Sequence, residues 1–385
     1  MNDTVLITGG AGFIGSHTAD ALLREGYAVR VLDTLDPQVH GPARERPAYL
    51  DPQVELVVGD VRDPDLVERC ARGARFVYHF ASLTGVTQSM YDVRNYVDVN
   101  VTGTAALWDV IVNRRLDVEK VVLSSSRAVY GEGSGFCRAC DREVHPLPRQ
   151  AAQLERGDWE VKCPACGADV QAAPVREDKP PQPLSIYAET KVAQERISRC
   201  MAAAHGVGVA VLRYFNVYGP RQALGNPYTG IAPTFCSRVR AGETVCLYED
   251  GRPLRDFVHV SDVVQANLRA LAWNGADGAF NVGSGDPRTI EEIARAICAR
   301  MGAEPRMEVT GQYRAGDIRG CYADLEASRR DLGYVPAIRL EQGIADLVDW
   351  VLLQDGVQGK YEEALQTLES KGLVRRAAAA APALA

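Results

Sequence analysis

The hydrophobic positions fall into two alternating kinds of stretch. Short apolar runs recur: Val5-Leu6-Ile7, Ala28-Val29-Arg30-Val31-Leu32, Val57-Val58, Phe76-Val77-Tyr78-His79-Phe80-Ala81 and Val121-Val122-Leu123. Runs of this length, apolar at consecutive positions, suit strands buried on both faces of a parallel sheet. Longer mixed stretches separate them, such as the one containing Ala19-Asp20-Ala21-Leu22-Leu23. The pattern predicts an α/β protein with a doubly wound parallel sheet. Residues 1–131 and 183–215 form its main domain, with segments near 256–283 returning to it. Residues 132–182 read as an insertion. A smaller substrate lobe takes residues 216–255 and 284–372, and the Ala-rich residues 373–385 read as a frayed tail.

The first strand runs into Thr8-Gly9-Gly10-Ala11-Gly12-Phe13-Ile14-Gly15. Glycines at a strand-to-helix turn let the backbone approach a pyrophosphate, and the helix N-terminus offers free N–H groups to its charge. The second strand ends in Asp33, about 20 residues on, where a carboxylate accepts from both adenosine ribose hydroxyls. A 2′-phosphate there would meet a like charge, and Thr34 and Leu35 follow rather than an arginine. The expected cofactor is NAD rather than NADP. Asp60, at a third strand end with Val61 beside it, falls near the expected adenine. His79 has apolar neighbours and reads as a core histidine.

Tyr187 and Lys191 are four apart and share one face of a helix. A tyrosine with an ordinary pKa near ~10 is a poor base at neutral pH, and bringing it to 7 takes about 4 kcal/mol. A nearby ammonium favours the phenolate. Such pairs occur by chance in many helices. The strand Val121-Val122-Leu123 adds weight, because it runs into Ser124-Ser125-Ser126, at the strand end where open α/β sheets place their ligands.

These motifs resemble those of the extended short-chain dehydrogenase/reductase family, specifically its NAD-dependent nucleotide-sugar epimerases and dehydratases. The likeness spans most of residues 3–350. It rests on the glycine turn, Asn100-Val101-Thr102-Gly103-Thr104, Ser124-Ser125-Ser126-Arg127-Ala128-Val129-Tyr130-Gly131, and the Tyr187/Lys191 pair. Arg213-Tyr214-Phe215-Asn216-Val217-Tyr218-Gly219-Pro220-Arg221, Arg255-Asp256-Phe257-Val258-His259 and Asn281-Val282-Gly283-Ser284-Gly285 extend it. The resemblance implies a Rossmann fold and a catalytic set of Ser126, Tyr187 and Lys191. It implies NAD contacts from Gly9, Gly12, Phe13, Ile14, Gly15, Asp33, Asp60, Val61, Ala81, Asn100, Ser124, Tyr187, Lys191 and Tyr214. Substrate contacts are implied for Thr84, Ser126, Asn216, Arg255, Arg314 and Cys321, and guanidinium forks suit the diphosphate. It further implies a homodimer.

Dehydratases of that family carry an Asp-Glu pair directly after the catalytic hydroxyl residue, and decarboxylases carry a glutamate in the same segment. Here Arg127 and Ala128 stand there, and neither can serve as acid and base for water loss. What remains is oxidation at sugar C4 and return of the hydride to the other face, with Tyr187 moving the proton. The expected activity is a nucleotide-sugar 4-epimerase. Cys321 replaces a bulky tyrosine common in UDP-galactose epimerases, and Thr84 replaces a frequent lysine. Both departures favour a dTDP- or UDP-linked modified hexose, such as a 6-deoxy sugar. The alternatives are a dehydratase or decarboxylase, or a non-catalytic NAD-binding regulator.

The insertion holds Cys137-Arg138-Ala139-Cys140 and Cys163-Pro164-Ala165-Cys166, two C-x-x-C knuckles separated by 22 residues. That spacing predicts a zinc-ribbon-like site with four thiolates and a structural role. Nucleic acid is not an expected partner: residues 132–182 carry seven Lys/Arg against nine Asp/Glu, and the whole chain has a net charge of −7. Apolar residues make up 46% of 385, enough for a large core, but no stretch reaches the ~18 apolar residues of a membrane span. Met1-Asn2-Asp3 leads straight into the first strand, so no leader is expected. The other six cysteines, Cys70, Cys200, Cys236, Cys246, Cys298 and Cys321, are scattered and fit a reducing cytoplasm.

Overall fold

The computed structural model describes residues 3–228, 230–314, 316–354 and 361–378. Five of the apolar runs become the strands β1 (Thr4–Thr8), β2 (Ala28–Asp33), β3 (Glu55–Val58), β4 (Ala74–His79) and β5 (Lys120–Ser126). With Gly208–Tyr214 and Asp277–Val282 they make a seven-stranded, all-parallel sheet. Its spatial order is Asp277–Val282, Gly208–Tyr214, β5, β4, β1, β2, β3. Both faces are buried. Val5, Ile7, Tyr78 and Val122 pack on one side, and Leu6, Val77, Val121 and Leu123 on the other. The strand order reverses between β1 and β4, and the crevice at their C-terminal ends is where such sheets bind ligands.

The second lobe packs the helices Ile231–Arg240, Ile290–Met301 and Leu340–Leu352 around Phe235, Ile293, Ile297 and Leu347. A small sheet lies beside them, in which Leu254–His259 pairs with Asn216–Tyr218, Pro287–Thr289 and Gly320–Cys321. The insertion builds a three-stranded antiparallel sheet of Ser134–Cys137, Arg142–Val144 and Gln171–Ala173. Its own core is five residues, Cys137, Val144, Val161, Cys163 and Val170.

The tail expectation needs correction over residues 373–378. Val374–Arg376 pairs antiparallel with Gln312–Arg314, and the N–H groups of Ala377 and Ala378 donate to Gly311 O and Glu155 O at 3.0 and 2.8 Å. A free strand edge at Gln312–Arg314 supplies partners for this backbone, and that edge is invisible in an Ala-rich composition. Residues 379–385 lie outside the described ones. Among the described residues no helix is long and apolar enough to cross a membrane.

Candidate active site

A cavity of about 720 Å³ runs from the glycine turn, past the ends of β4 and β5, into the second lobe. At the turn, Gly9 has φ 71°, and a Cβ there would sit 2.7 Å from Ala81 N. A Cβ on Gly15 would sit 2.5 Å from Gly9 O. At Gly12 a Cβ would meet Gly9 O at 3.4 Å, an ordinary contact, and this residue caps the helix α1 (Phe13–Arg24) without a side chain, leaving the first N–H groups of α1 uncapped beside the cavity. At Gly9 and Gly15 the turn is thus a close backbone approach that only glycine allows. At the end of β2, Asp33 accepts from Ala11 N at 3.0 Å and Leu35 N at 2.9 Å, with His40 Nε2 3.8 Å away. Burial pushes its carboxyl up, against the pull of these donors. Asp60 also lines the cavity, but its carboxylate is committed to Arg62 through contacts of 3.0 and 2.6 Å. The donors and carboxylates present fit a dinucleotide.

Beyond the turn, β5 delivers Ser124, Ser125 and Ser126 to the cavity. The helix Ile186–His205, capped by Ser185 Oγ accepting from Ala188 N at 3.1 Å, presents Tyr187 and Lys191 one turn apart on its buried face. Ser126 and Tyr187 both line the cavity. Lys191 Nζ lies 5.9 Å from the Tyr187 ring centre. Burial pushes the Lys191 ammonium down to about 7. Burial raises the Tyr187 phenol, opposed by the neighbouring Ser126 side chain and the charge of Arg127. Sequence reasoning used Arg127 only to exclude dehydration; the structure adds a permanent cation beside the phenol. Beneath the site, Arg213 pairs bidentately with Glu195 at 3.0 and 2.8 Å, and Ser125 Oγ donates to the same carboxylate.

The second lobe closes the far end. Arg255, Arg314 and Asn216 line it, and Asn216 Oδ1 and Arg314 Nε are buried without a hydrogen-bond partner among the described residues. Buried polar atoms of this kind want a ligand. Arg255 donates to Ile318 O at 2.9 Å, and burial together with the charge of Arg127 lowers it to about 10. Thr84, Phe13, Ile14, Val61, Ala81 and Tyr214 line the cavity as well.

Two expected contacts are placed elsewhere. Cys321 is fully buried and does not line the cavity; it packs where a Cβ on Gly133 would fall, at the root of the insertion. Asn100 is also fully buried and acts one layer back. Its Oδ1 accepts from Leu83 N at 2.8 Å, while its Nδ2 donates to Leu83 O at 3.1 Å and Thr190 Oγ1 at 2.9 Å. It sits in a π-helical turn, Val97–Thr102, and fixes the loop that carries Thr84. His79 is a core residue, held between Thr8 Oγ1 at 2.8 Å and Thr104 Oγ1 at 2.9 Å. Sequence reasoning missed Tyr248, Glu249 and Asp317, and also Tyr361, Leu365 and Leu368 from the helix Tyr361–Ser370. Only Tyr248 had a signal, an apolar run from Val245 ending at a turn glycine, Gly251.

In the insertion, the four sulfurs of Cys137, Cys140, Cys163 and Cys166 lie within 4.8 Å of one another. Cys137–Cys166 and Cys140–Cys163 are 3.5 and 3.9 Å apart. A tetrahedral zinc with bonds of about 2.3 Å requires sulfur separations of about 3.8 Å.

The sequence matches the family described as "NAD dependent epimerase/dehydratase family" over residues 5–152 and 165–283, more than half of the chain. The chain belongs to that family. Within the insertion, residues 153–164 fall outside the match. The dTDP-L-rhamnose 4-epimerase of Burkholderia thailandensis is 39% identical over 351 residues, covering 90% of this chain and 94% of its own. Among solved structures, the Thermotoga maritima UDP-glucose 4-epimerase with UDP-glucose is 28% identical, with a TM-score of 0.72 over 91% of this chain and 98% of the other. The Thermus thermophilus UDP-glucose 4-epimerase complex with NAD is 30% identical, with a TM-score of 0.71 over 91% and 99%.

Proposed function

We propose that this family member is a nucleotide-sugar 4-epimerase. The carrying observation is that Ser126, Tyr187 and Lys191 meet in the glycine-turn crevice, Lys191 reaching the strand of Ser126, with Arg127 and Ala128 where water loss would need acids. NAD, when bound, would supply the hydride chemistry at the sugar's C4. Its pyrophosphate belongs on Gly9, Gly12 and the first N–H groups of α1, and its adenosine ribose on Asp33. Ser126 holds the reacting oxygen against Tyr187. Tyr187 takes the proton from that oxygen and later gives it back. Lys191 and Arg127 favour the phenolate during the transfer. Asn216, Arg255 and Arg314 hold the diphosphate, and guanidinium forks suit its oxygens.

Because the proton and hydride both return, no net redox follows, and NAD stays bound between turnovers. A dTDP- or UDP-linked modified hexose is the substrate class, favoured by the 39% relative that acts on dTDP-L-rhamnose. Incubation with a panel of UDP-, dTDP-, GDP- and CDP-sugars, followed by NMR, tests this: C4 inversion is expected, and a 4-keto product accumulating with loss of water would replace the reading by a dehydratase.

The four-cysteine cluster holds a structural zinc, supported by the sulfur spacing. With four protein ligands the site is closed and takes no part in the chemistry. The protein works as a homodimer in the cytoplasm. None of the ten cysteines is in a disulfide, as suits a reducing compartment, and sedimentation equilibrium tests for the dimer.

A further inference from the structure

Arg149 lies between the two cysteine pairs of the insertion, yet most of its guanidinium contacts lie in the second lobe. Its two terminal nitrogens donate to the two carboxylate oxygens of Glu249, both at 2.8 Å. They also donate to the main-chain oxygens of Asp317 and Trp159, each at 3.0 Å, and Nε lies 3.3 Å from Glu132. The side chain is 1% exposed.

The partner it holds is under strain. Glu249 has φ 55°, a left-handed conformation that a residue with a Cβ adopts at a cost. Its N–H donates to Gln312 O at 2.7 Å. Glu249 lines the cavity next to Tyr248, and the Arg314 guanidinium lies 4.6 Å from the Tyr248 ring centre. An aromatic face beside a guanidinium is a surface for a base and its phosphates.

Other insertion residues secure the same two loops from behind. Glu160 accepts from Arg319 at 2.6 Å, and Arg319 also reaches Asp250 at 2.7 Å. Glu132 accepts from Arg319 N at 2.8 Å, and the Trp159 ring packs 6.1 Å from that of Tyr313.

We propose that Arg149 is a positioning residue for the nucleotide-diphosphate end of the substrate, holding the Tyr248–Glu249 turn in its strained form and so fixing the surface that the nucleotide meets. A bidentate fork fixes orientation as well as distance, which a single point charge does not. None of the partners of Arg149 is Ser126, Tyr187, Lys191 or a residue of the glycine turn, so its effect falls on nucleotide binding rather than on proton transfer. The proposal rests on the nucleotide-sugar reading above.

The test uses the full chain as wild type, Arg149→Gln and Arg149→Lys. Kd for UDP and for dTDP is measured by titration calorimetry. KM and kcat are measured on the sugar that the wild type turns over, and bound NAD is assayed in each. In Arg149→Gln, nucleoside diphosphate binding weakens and KM rises about 10-fold or more, the scale of a group displaced by under an ångström. Its kcat and NAD content stay near wild type. Arg149→Lys keeps the charge and loses the fork, so it recovers only part of the affinity. Unchanged diphosphate binding in both variants overturns the proposal, as does a fall in kcat at constant KM. If Arg149→Gln does not fold, Arg149→Lys decides alone: wild-type affinity overturns the proposal, and a several-fold loss supports it. A wild type that binds neither UDP nor dTDP refutes the nucleotide-sugar reading first, and this proposal with it.

Discussion

Lys191 Nζ donates to the main-chain oxygen of Ser124 at 2.9 Å. The contact ties the helix of Tyr187 to the strand of Ser126, two elements that the insertion separates in the chain. It holds the helix of the phenol against the strand of the serine hydroxyl across the whole length of the insertion between them.

Replacing Tyr187 by Phe keeps the ring and removes the proton carrier. The kcat should fall at least ~100-fold, the usual scale of acid–base catalysis, while bound NAD remains. Ser126→Ala should cost less, since it removes one hydrogen bond to the reacting oxygen. Steady-state kinetics on the substrate found by the sugar panel measures both. A Tyr187→Phe enzyme at near wild-type rate would show that another group carries the proton.

The glycine cradle makes a second prediction. Purified protein should release stoichiometric NAD on denaturation. In Gly15→Ala the new Cβ would meet Gly9 O at 2.5 Å and Gly10 Cα at 2.6 Å, and backbone cannot step aside as a side chain can. Overpacking of this kind costs about 1–3 kcal/mol, so most of the NAD should be lost. The assay is the dinucleotide released per chain; NADP in place of NAD, or a full complement in Gly15→Ala, would contradict the assigned site.

Metal analysis of the wild type should find one zinc per chain. The five-residue core of the insertion is too small to fold on its own, so metal binding supplies folding free energy there. Cys163→Ser combined with Cys166→Ser should lose the metal and make residues near 137–170 sensitive to protease. Activity should then fall through KM, because Arg149 and Glu160 lose their footing, while product identity and NAD content persist. A zinc-free wild type with a protease-resistant insertion would refute the site.

His79 predicts how stability depends on pH. Burial pushes its pKa from the ordinary 6.5 down to about 3, so the folded chain keeps it neutral. Between these values the unfolded chain binds a proton that the folded chain does not. Stability is therefore fully present above 6.5 and is lost as pH falls toward 3, at about 1.4 kcal/mol per pH unit for one such group. His17, lowered to about 4 by burial, adds to the slope. Urea unfolding of His79→Gln from pH 7 to 4 should show a slope shallower by about that amount; an unchanged slope would mean that His79 does not set it.

The cofactor half was legible because its determinants are local. Val5-Leu6-Ile7, the glycines and Asp33 each act within a few residues of backbone, and the structure brings them to one crevice. Ser126 and Tyr187, which the structure places in one cavity, were singled out only through joint occurrence, since the spacing of Tyr187 and Lys191 specifies nothing by itself. What escaped depends on contacts far apart in sequence. Arg149 meets Glu249 across 100 residues, and Tyr361 comes to the cavity from a terminal helix. No periodicity encodes such meetings. Cys321 shows the converse: its motif suggested a wall of the sugar pocket, but its strand pairs with Leu254–His259 and the side chain is fully buried.

The strand Asp277–Val282 joins the central sheet beside Gly208–Tyr214, although part of the second lobe, including the helix Ile231–Arg240, is threaded between them. On a ribosome adding about 5–20 residues per second, that edge stays without its neighbour for roughly 3–14 s. An unpaired parallel strand edge, apolar from Val209 to Leu212, is a template for any other nascent chain nearby. Slow codons or a pause between residues 215 and 277 would lengthen the exposure and send more of the product into inclusion bodies, with no change in the folded protein.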